Sequence, residues 1–319
     1  MLVLIQTFRK NLRFDIARLL LTCGALQALF GMVSGVAFAQ ELTPRAYWPT
    51  PNGINVFVLS YQRSTGDIVT DPSLPITGVD STIEYLQLSY QRTFSLAGRT
   101  ANIQLSLPYA SGDTEGTVEG EFLRRELSGF GDTRVRLAMK LKGAPSMDAA
   151  GFQALRQNPE TIIGASLLVQ IPSGEYESDK LINLGTNRWS VKPALGFIWP
   201  LKSDLLLEFE VGAWFFGDNN EFLGQNREQD PVVSSEIHLI KRIRPGFWAS
   251  LDANFYLGGK TSIDGVERAD LQRNSRAGLT AVFPIKGQHA IRGSFSTGIA
   301  TESGGDFNML TLSYIYAWR

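Results

Sequence analysis

The sequence predicts an all-β fold, a transmembrane antiparallel up-and-down β-barrel of about 12 strands that follows an N-terminal signal peptide. Three observations support this prediction. They are an export signal, the alternation of apolar and polar residues at period two, and connections that alternate between short and long. The 319 residues include 31 glycines, and 44% are hydrophobic and 19% charged, which suits a single β-rich domain.

The first 39 residues are predicted to be a signal peptide. An apolar run ends in the small-residue motif Ala37-Phe38-Ala39, which places cleavage after Ala39. The run is preceded by the basic residues Arg9, Lys10, Arg13 and Arg18. An uncleaved membrane anchor and a lipoprotein signal at Cys23 are the alternatives. Since Cys23 is the only cysteine, cleavage after Ala39 would leave no disulfide and no thiol chemistry.

Cleavage also changes the charge of the chain. The formal net charge falls from −1 to −4, because four basic residues and Asp15 are lost, and no basic run remains that would attract nucleic acid. No segment after Ala39 is apolar for the length that a membrane helix needs, so membrane insertion requires strands. The predicted organisation is a signal peptide at 1–39, a periplasmic segment at 40–52 and a barrel at 53–319, in the outer membrane of a Gram-negative bacterium.

Period-two alternation runs along the predicted mature chain. Between residues 101 and 109, for example, apolar side chains alternate with Asn102, Gln104 and Ser106. An even number of such strands returns both chain ends to the periplasmic side. Strands are predicted near residues 53–63, 81–94, 99–109, 129–142, 160–172, 187–200, 204–217, 231–243, 246–258, 272–285, 288–299 and 307–319.

Alternation does not by itself decide which face meets lipid, because a soluble β-sandwich has the same period with its apolar face inward. Three features favour an apolar face directed outward. Trp189 and Trp199 lie about one membrane crossing apart. Full charges occur in mid-strand, where a wet lumen tolerates them. Short connections alternate with long polar ones, as in outer-membrane barrels. The long connections are predicted at residues 64–80, 110–128, 173–186, 217–230 and 259–271. Residues 143–159 are an exception, because they form a long insertion at the end of the barrel where the other connections are short.

Several motifs resemble an outer-membrane family named for the meta-pathway of phenol degradation, whose members are often called transporters. The resemblance covers nearly all of the predicted mature chain. The matching stretches are residues 45–53 (RAYWPTPNG), 129–132 (GFGD), 170–176 (QIPSGEY), 183–193 (NLGTNRWSVKP), 229–231 (QDP), 258–261 (GGKT), 274–278 (NSRAG) and 318–319 (WR).

This resemblance implies an outer-membrane barrel that admits aromatic or hydrophobic compounds. It brings no established catalytic or binding residues. The chain departs from a common barrel pattern at its end, because Arg319 follows Trp318 where many outer-membrane barrels end on the aromatic residue itself. That departure bears on recognition by the barrel-assembly machinery.

Charged residues on the polar faces of the strands are candidate lumen residues. Basic side chains dominate the earlier strands and acidic side chains the following ones. Such an arrangement either sets ion selectivity or neutralises itself and plugs a narrow barrel, and the sequence leaves both alternatives open. The candidates are Arg134, Arg136, Lys140, Arg188, Lys192, Glu208, Glu210, Glu236, His238, Asp252 and Arg292.

No catalytic, cofactor-binding or metal-binding residues are predicted. Glu236 could orient His238, but no nearby serine lies in a nucleophile motif, so a hydrogen bond in the lumen is the favoured role of this histidine. His289 is predicted to be interfacial. Residues 129–132 precede a strand and not a helix, which predicts a turn or bulge instead of a phosphate cradle.

The leading functional hypothesis is a porin-like channel for uptake of small aromatic or hydrophobic compounds. Its expected partners are outer-membrane lipid, lipopolysaccharide, the barrel-assembly machinery and a small-molecule solute. The alternatives are a structural or adhesive barrel without transport, a membrane lipase-type enzyme that uses His238, and a soluble β-protein.

Overall fold

The computed structural model describes residues 42–67, 76–118, 121–301 and 306–319. The predicted signal peptide and its cleavage site lie outside these ranges. Within them the chain forms strands β1 (Asn55–Gly66), β2 (Ile76–Leu96), β3 (Arg99–Val118), β4 (Glu121–Phe130) and β5 (Thr133–Lys142), helix α1 (Ala149–Gln157), and strands β6 (Ile162–Ile171), β7 (Ser190–Lys202), β8 (Leu205–Phe216), β9 (Asn219–Phe222), β10 (Gln225–Gln229), β11 (Val232–Arg244), β12 (Phe247–Gly258), β13 (Thr261–Ile263), β14 (Val266–Glu267), β15 (Gln272–Pro284), β16 (His289–Ala300) and β17 (Phe307–Trp318).

Thirteen of these strands form one sheet that closes on itself. Each strand pairs antiparallel with its neighbours, and β1 pairs with β17 from Asn55 opposite Trp318 to Gly66 opposite Phe307. Strands β4 and β5 both pair with β3, end to end, so they occupy one position in the wall. The result is a closed 12-strand barrel, which confirms the predicted fold class and strand count.

The two faces of the wall have the polarity that the sequence predicts. On β12 the side chain of Leu251 is 58% exposed, whereas that of the next residue, Asp252, is 5% exposed. Leu279 on β15 lies opposite Leu251 and is similarly exposed. Burying such an apolar belt in water-free lipid is favourable, whereas exposing it to water is not. The apolar rows therefore face outward and the charged rows face the interior.

Aromatic side chains mark both edges of the apolar belt. At the periplasmic edge, His289 stacks on Tyr314 and Tyr316, and Tyr316 stacks on Trp318. Trp189, which directly precedes β7, and Trp199, near the end of β7, are both exposed. Such girdles are typical of barrels whose outer surface crosses a bilayer. The interfacial position predicted for His289 agrees with this stacking.

Some segments predicted as loops are strands. Strand β3 continues to Val118 and pairs with β4, although residues 110–128 are predicted to be a loop. Pro108 is tolerated within β3 because the partner strand changes there, and its carbonyl accepts a hydrogen bond from Gly131 N at 2.9 Å. The predicted loops at 217–230 and 259–271 contain β9, β10, β13 and β14, which form a separate four-stranded sheet.

The predicted insertion at 143–159 contains α1. The carboxylate of Asp148 accepts a hydrogen bond from Gly151 N at 2.9 Å and so caps the first turn. The helix ends at Gln157, shortly before Pro159, which cannot continue a helix hydrogen-bond ladder. Phe152 and Leu155 of α1 pack against apolar side chains at the periplasmic end of the barrel. No helix in the described ranges is long and apolar enough to cross a membrane.

Candidate functional site

The barrel interior is the candidate functional site, and its first component is a segment from the N-terminal side of β1. This interior segment, residues 42–50, lies against the interior wall, whereas the sequence predicts residues 40–52 to be periplasmic. Thr43 N and Oγ1 donate to Glu236 Oε2 at 3.0 and 2.9 Å. Arg45 N donates to Glu208 Oε2 at 2.8 Å, and Tyr47 N donates to Glu208 Oε1 at 3.2 Å. The two carboxylates therefore satisfy backbone donors that would otherwise be buried without partners.

Tyr47 fits into the wall because two strand positions carry no side chain. An ideal Cβ on Gly164 would lie 2.4 Å from Tyr47 Cδ1, and one on Gly196 would lie 2.1 Å from Tyr47 Cε2. The Tyr47 hydroxyl shares a hydrogen bond of 2.8 Å with Ser166 Oγ. The Arg136 guanidinium lies 5.0 Å from the centre of its ring. These contacts hold the interior segment in one place across the lumen.

Arg45 strengthens the periplasmic end of this arrangement. Its guanidinium lies 5.1 Å from the ring centres of both Trp48 and Trp248, a cation–π arrangement on two sides. Burial lowers the pKa of Arg45 to about 10, so the side chain keeps its charge at neutral pH. Trp48 and Trp248 belong to an apolar cluster with inward-facing residues of several strands and with Met147. This cluster narrows the periplasmic end of the lumen.

Ion pairs cross the middle of the barrel. Glu210 lies 3.2 Å from Arg136 and 2.8 Å from Lys192, and Lys192 also lies 3.7 Å from Glu236. These pairs join strands β5, β7, β8 and β11 through their interior faces. The charges on this side of the lumen therefore largely neutralise one another, as one of the two sequence-based alternatives expects.

His238 lies between two carboxylates of the same network. Its Nδ1 is 2.8 Å from Asp252 Oδ1, and its Nε2 is 3.3 Å from Glu236 Oε2. Asp252 also accepts a hydrogen bond from Thr280 Oγ1 at 2.8 Å. Since both ring nitrogens face carboxylates, neither is placed to activate a hydroxyl nucleophile. The geometry supports a structural hydrogen-bonding role for this histidine.

The opposite side of the interior has a different chemistry. Where β1, β2 and β3 border the lumen, their inward side chains are uncharged, and most of them are polar, although Val56 and Val58 of β1 are apolar. Ser60 Oγ lies 2.9 Å from Ser313 Oγ, and Ser89 Oγ lies 2.9 Å from Ser106 Oγ. We call the inward side chains Ser60, Gln87, Ser89, Gln91, Asn102, Gln104 and Ser106 the neutral wall.

A cavity of about 430 Å³ separates the neutral wall from the interior segment. It extends from Trp48 and Trp248 at the periplasmic end to Arg134 and Trp214 further into the barrel. Two smaller cavities lie on the outer side, with volumes of about 100 and 80 Å³. The first shares Trp214 with the central cavity, and the second shares Ser60, Gln87 and Arg134.

The two outer cavities are separated by residues 172–189, which we call the inner loop. Asp132, at the break between β4 and β5, is its anchor. Asp132 Oδ1 accepts from Gly174 N at 3.0 Å, and Oδ2 accepts from Thr186 N at 3.0 Å and from Thr186 Oγ1 at 2.6 Å. Gln170 Nε2 also donates to Oδ2 at 3.0 Å. One buried carboxylate thus joins both ends of the inner loop to the wall.

Close backbone packing and apolar contacts complete the anchoring of the inner loop. Gly174 and Gly185 approach so closely that an ideal Cβ on either would lie 2.7 Å from the other's backbone. Ile182 and Leu184 are buried in an apolar cluster with Ile83, Ala110, Leu127, Phe222, Ile263, Phe307 and Met309. The inner loop therefore narrows the outer end of the barrel, opposite the constriction made by the interior segment.

Of the other candidate lumen residues, Arg134 and Lys140 lie on β5, Arg292 lies on β16, and Arg188 lies near the end of the inner loop. Arg134 Nε donates to Gln170 Oε1 at 3.2 Å and Arg292 Nη2 donates to Ser313 Oγ at 3.2 Å. The Arg188 guanidinium lies 4.7 Å from the ring centre of Phe216. Lys140 is fully buried near Glu208, and its Nζ has no hydrogen-bond partner in the described part of the chain.

Sequence reasoning missed the residues that narrow the lumen. Asp132 belongs to the motif at residues 129–132 and Tyr47 to the motif at residues 45–53, and neither pattern predicts a contact inside the lumen. The available signal is positional, because a tyrosine-tryptophan pair precedes the first strand and glycines interrupt two otherwise regular strands at 164 and 196. A glycine in a strand interior indicates the close approach of another group.

A family model with the description "Putative MetA-pathway of phenol degradation" matches residues 62–314. The fold is similar to that of an outer membrane channel from Pseudomonas putida F1, with 23% sequence identity, a TM-score of 0.72, and coverage of 87% of this chain and 100% of that chain. The NanC porin matches with 7% identity, a TM-score of 0.47, and coverage of 82% and 98%. The transport unit of the autotransporter AIDA-I from Escherichia coli matches with 13% identity, a TM-score of 0.46, and coverage of 88% and 94%. A search of curated proteins finds no match.

Proposed function

This chain belongs to the family of the MetA-pathway of phenol degradation, and on that premise we propose that it is an outer-membrane channel for small aromatic or hydrophobic compounds. The observation that carries the proposal is the central cavity beside the neutral wall. The wall supplies hydroxyl and amide groups, which solvate a passing molecule without holding it as a fixed charge would. In the membrane, lipid and lipopolysaccharide surround the exposed apolar belt.

The route of the solute follows from the residues that the cavities share. A molecule in either outer cavity lies beside residues that also line the central cavity, namely Trp214 or the group Ser60, Gln87 and Arg134. From there it passes between the neutral wall and the interior segment toward Trp48 and Trp248. The path is narrow, because the inner loop and the interior segment constrict its two ends.

The dimensions favour small solutes. An apolar cavity of about 150 Å³ is known to hold benzene, so the central cavity of about 430 Å³ has room for a monocyclic aromatic compound and some water. The outer cavities, at about 100 and 80 Å³, are tight for even one ring. We therefore expect slow passage of single-ring compounds and exclusion of fused-ring compounds.

The test is the flux of phenol into liposomes that contain the purified protein, with two variants on adjacent residues. Ser106 lines the central cavity, whereas Leu107 lies on the outward face. Ser106→Trp fills the path and should reduce the flux to that of empty liposomes. Leu107→Trp places the same ring in lipid and should leave the flux unchanged. Both proteins must first show the heat-dependent gel mobility of a folded barrel. Phenol flux no greater than in empty liposomes for the unmodified chain would refute the proposal.

A barrel without transport is the second candidate, favoured by the apolar clusters that narrow both ends of the lumen. Planar-bilayer recordings separate the two functions. A channel gives discrete conductance steps, which Ser106→Trp should abolish. A structural or adhesive barrel gives none under any condition.

A further inference from the structure

A buried indole lies where the outer and central cavities meet. Trp214 on β8 lines both the cavity of about 100 Å³ and the central cavity, and it is 6% exposed. Its Nε1 has no hydrogen-bond partner among the residues that the structure describes. Buried indole N–H groups normally find an acceptor, because an unsatisfied donor costs free energy. This N–H group is therefore suited to donate a hydrogen bond to the oxygen of a molecule that enters the cavity.

Aromatic side chains surround the same cavity. The ring of Phe216 stacks nearly parallel to that of Trp214, with ring centres 6.3 Å apart and an angle of 10° between the planes. Phe222 and Tyr176 also line the cavity, although they belong to different connections at the outer end of the barrel. Flat aromatic surfaces pack favourably against another aromatic ring in stacked or edge-to-face geometry. The lining therefore favours a planar ring over an aliphatic solute.

Two cations lie on the rim of this aromatic lining. The guanidinium of Arg188 is 4.7 Å from the ring centre of Phe216, and that of Arg227 is 5.6 Å from the ring centre of Phe222. Both side chains are more than nine-tenths buried and line the cavity. Guanidinium groups attract oxygen acceptors, carboxylates most strongly. The electrostatic environment thus favours a ligand with an electronegative substituent.

We propose that the cavity around Trp214 is a binding site for a single aromatic ring that carries a hydrogen-bond-accepting oxygen, as phenols and aryl carboxylates do. The ring stacks among Trp214, Phe216, Tyr176 and Phe222, and the oxygen accepts from Trp214 Nε1 and faces Arg188 and Arg227. This site rests on the proposed channel function and gives it a selective step between the outer end and the central cavity. A fused ring system does not fit in about 100 Å³.

Calorimetric titration of the full chain in detergent tests the site with three probes: phenol, benzoate and cyclohexanecarboxylate. We expect saturable binding of phenol or benzoate and at least tenfold weaker binding of the cyclohexane compound. Trp214→Phe keeps a ring but removes the donor, and it should weaken binding of the aromatic probes about tenfold. Trp199→Phe makes the same chemical change on the outward face and should have no effect. Tighter binding of benzoate than of phenol would identify the carboxylate as the preferred group, and the reverse order would identify the hydroxyl.

A second pair of variants protects the test against a folding defect in Trp214→Phe. Phe216→Leu removes the stacking partner inside the cavity, whereas Phe215→Leu changes the neighbouring, outward-facing residue. Only the first should weaken binding. Equal binding of all three probes, or binding unchanged in both interior variants, would overturn the site. Phenol flux through liposomes with no saturable binding would overturn the site alone, whereas binding without flux would overturn the channel and leave the site in place.

Discussion

The contact between Tyr47 and Gly196 gives the sharpest prediction about the interior segment. In Gly196→Ala the new Cβ would lie 2.1 Å from Tyr47 Cε2 and 2.2 Å from Cδ2. Carbon atoms in van der Waals contact are about 3.5–4.0 Å apart, so the ring must move by roughly 1.5 Å. Overpacking of this kind typically costs about 1–3 kcal/mol. The cost falls on the interior segment, because the barrel wall itself is held by continuous strand pairing.

Gly196→Ala should therefore displace the interior segment from its position against the barrel wall. A cost of about 1–3 kcal/mol corresponds to an increase of roughly 5- to 150-fold in the displaced population. Trypsin cleavage after Arg45 measures that population, because the seated segment protects the bond through its hydrogen bonds to Glu208. Single-channel conductance should rise in parallel, since the segment borders the central cavity.

The matched control is Gly293→Ala. Gly293 also lies within a strand, but a Cβ there meets nothing within 4 Å. Cleavage after Arg45 and conductance should therefore match those of the unmodified chain. Equal cleavage rates in Gly196→Ala and Gly293→Ala would refute the placement of Tyr47 against Gly196.

Three further predictions concern buried ionisable side chains. Asp132→Ala removes a carboxylate that accepts four hydrogen bonds from the inner loop and β6, so it should increase the single-channel conductance. Asp113→Ala, which removes an exposed ion pair with Arg124, should leave the conductance unchanged. Equal conductance of the two variants would contradict the anchoring role of Asp132. Lys140→Met removes a buried amino group that has no hydrogen-bond partner in the described residues, so the thermal midpoint should stay the same or rise. A fall of several degrees would show that this side chain is stabilising. His238→Phe leaves Glu236 and Asp252 without their shared partner and should lower the free energy of unfolding by about 3–5 kcal/mol; an unchanged urea midpoint would contradict the network.

The wall of the barrel could be predicted from the sequence because its determinants are local. Alternation at period two identifies the strands and assigns Leu251 and Asp252 to opposite faces without knowledge of any partner strand. The strands that extend past the apolar belt are harder to predict. Residues 110–128 are polar and are therefore predicted to be a loop, yet most of them pair as β3 and β4. Strands in contact with water on both faces need no apolar row, so the alternation that identifies the other strands is missing here.

The constrictions could not be predicted, because they depend on contacts between distant residues. Thr43 and Glu236 are separated by 193 positions, and Arg45 and Glu208 by 163. No periodicity along the chain carries that information. The same holds for Asp132, whose partners at 174 and 186 come from a different connection. The charged candidates could be assigned to the interior, but their ion pairs required the register of the strands.

The central claim is that solute passes along the neutral wall, inside a barrel whose outer face meets lipid. Chemical modification of two adjacent positions tests this claim most directly. Gln87 lines two of the cavities, whereas Leu88 is exposed on the outward face. Cys23 is the only cysteine of the chain, so a chain that starts at residue 40 allows single-cysteine variants. In Gln87→Cys, a bulky water-soluble methanethiosulfonate reagent should reduce conductance and phenol flux to near zero, and in Leu88→Cys it should change neither. Loss of flux after modification at Leu88, or full flux after modification at Gln87, would contradict the account.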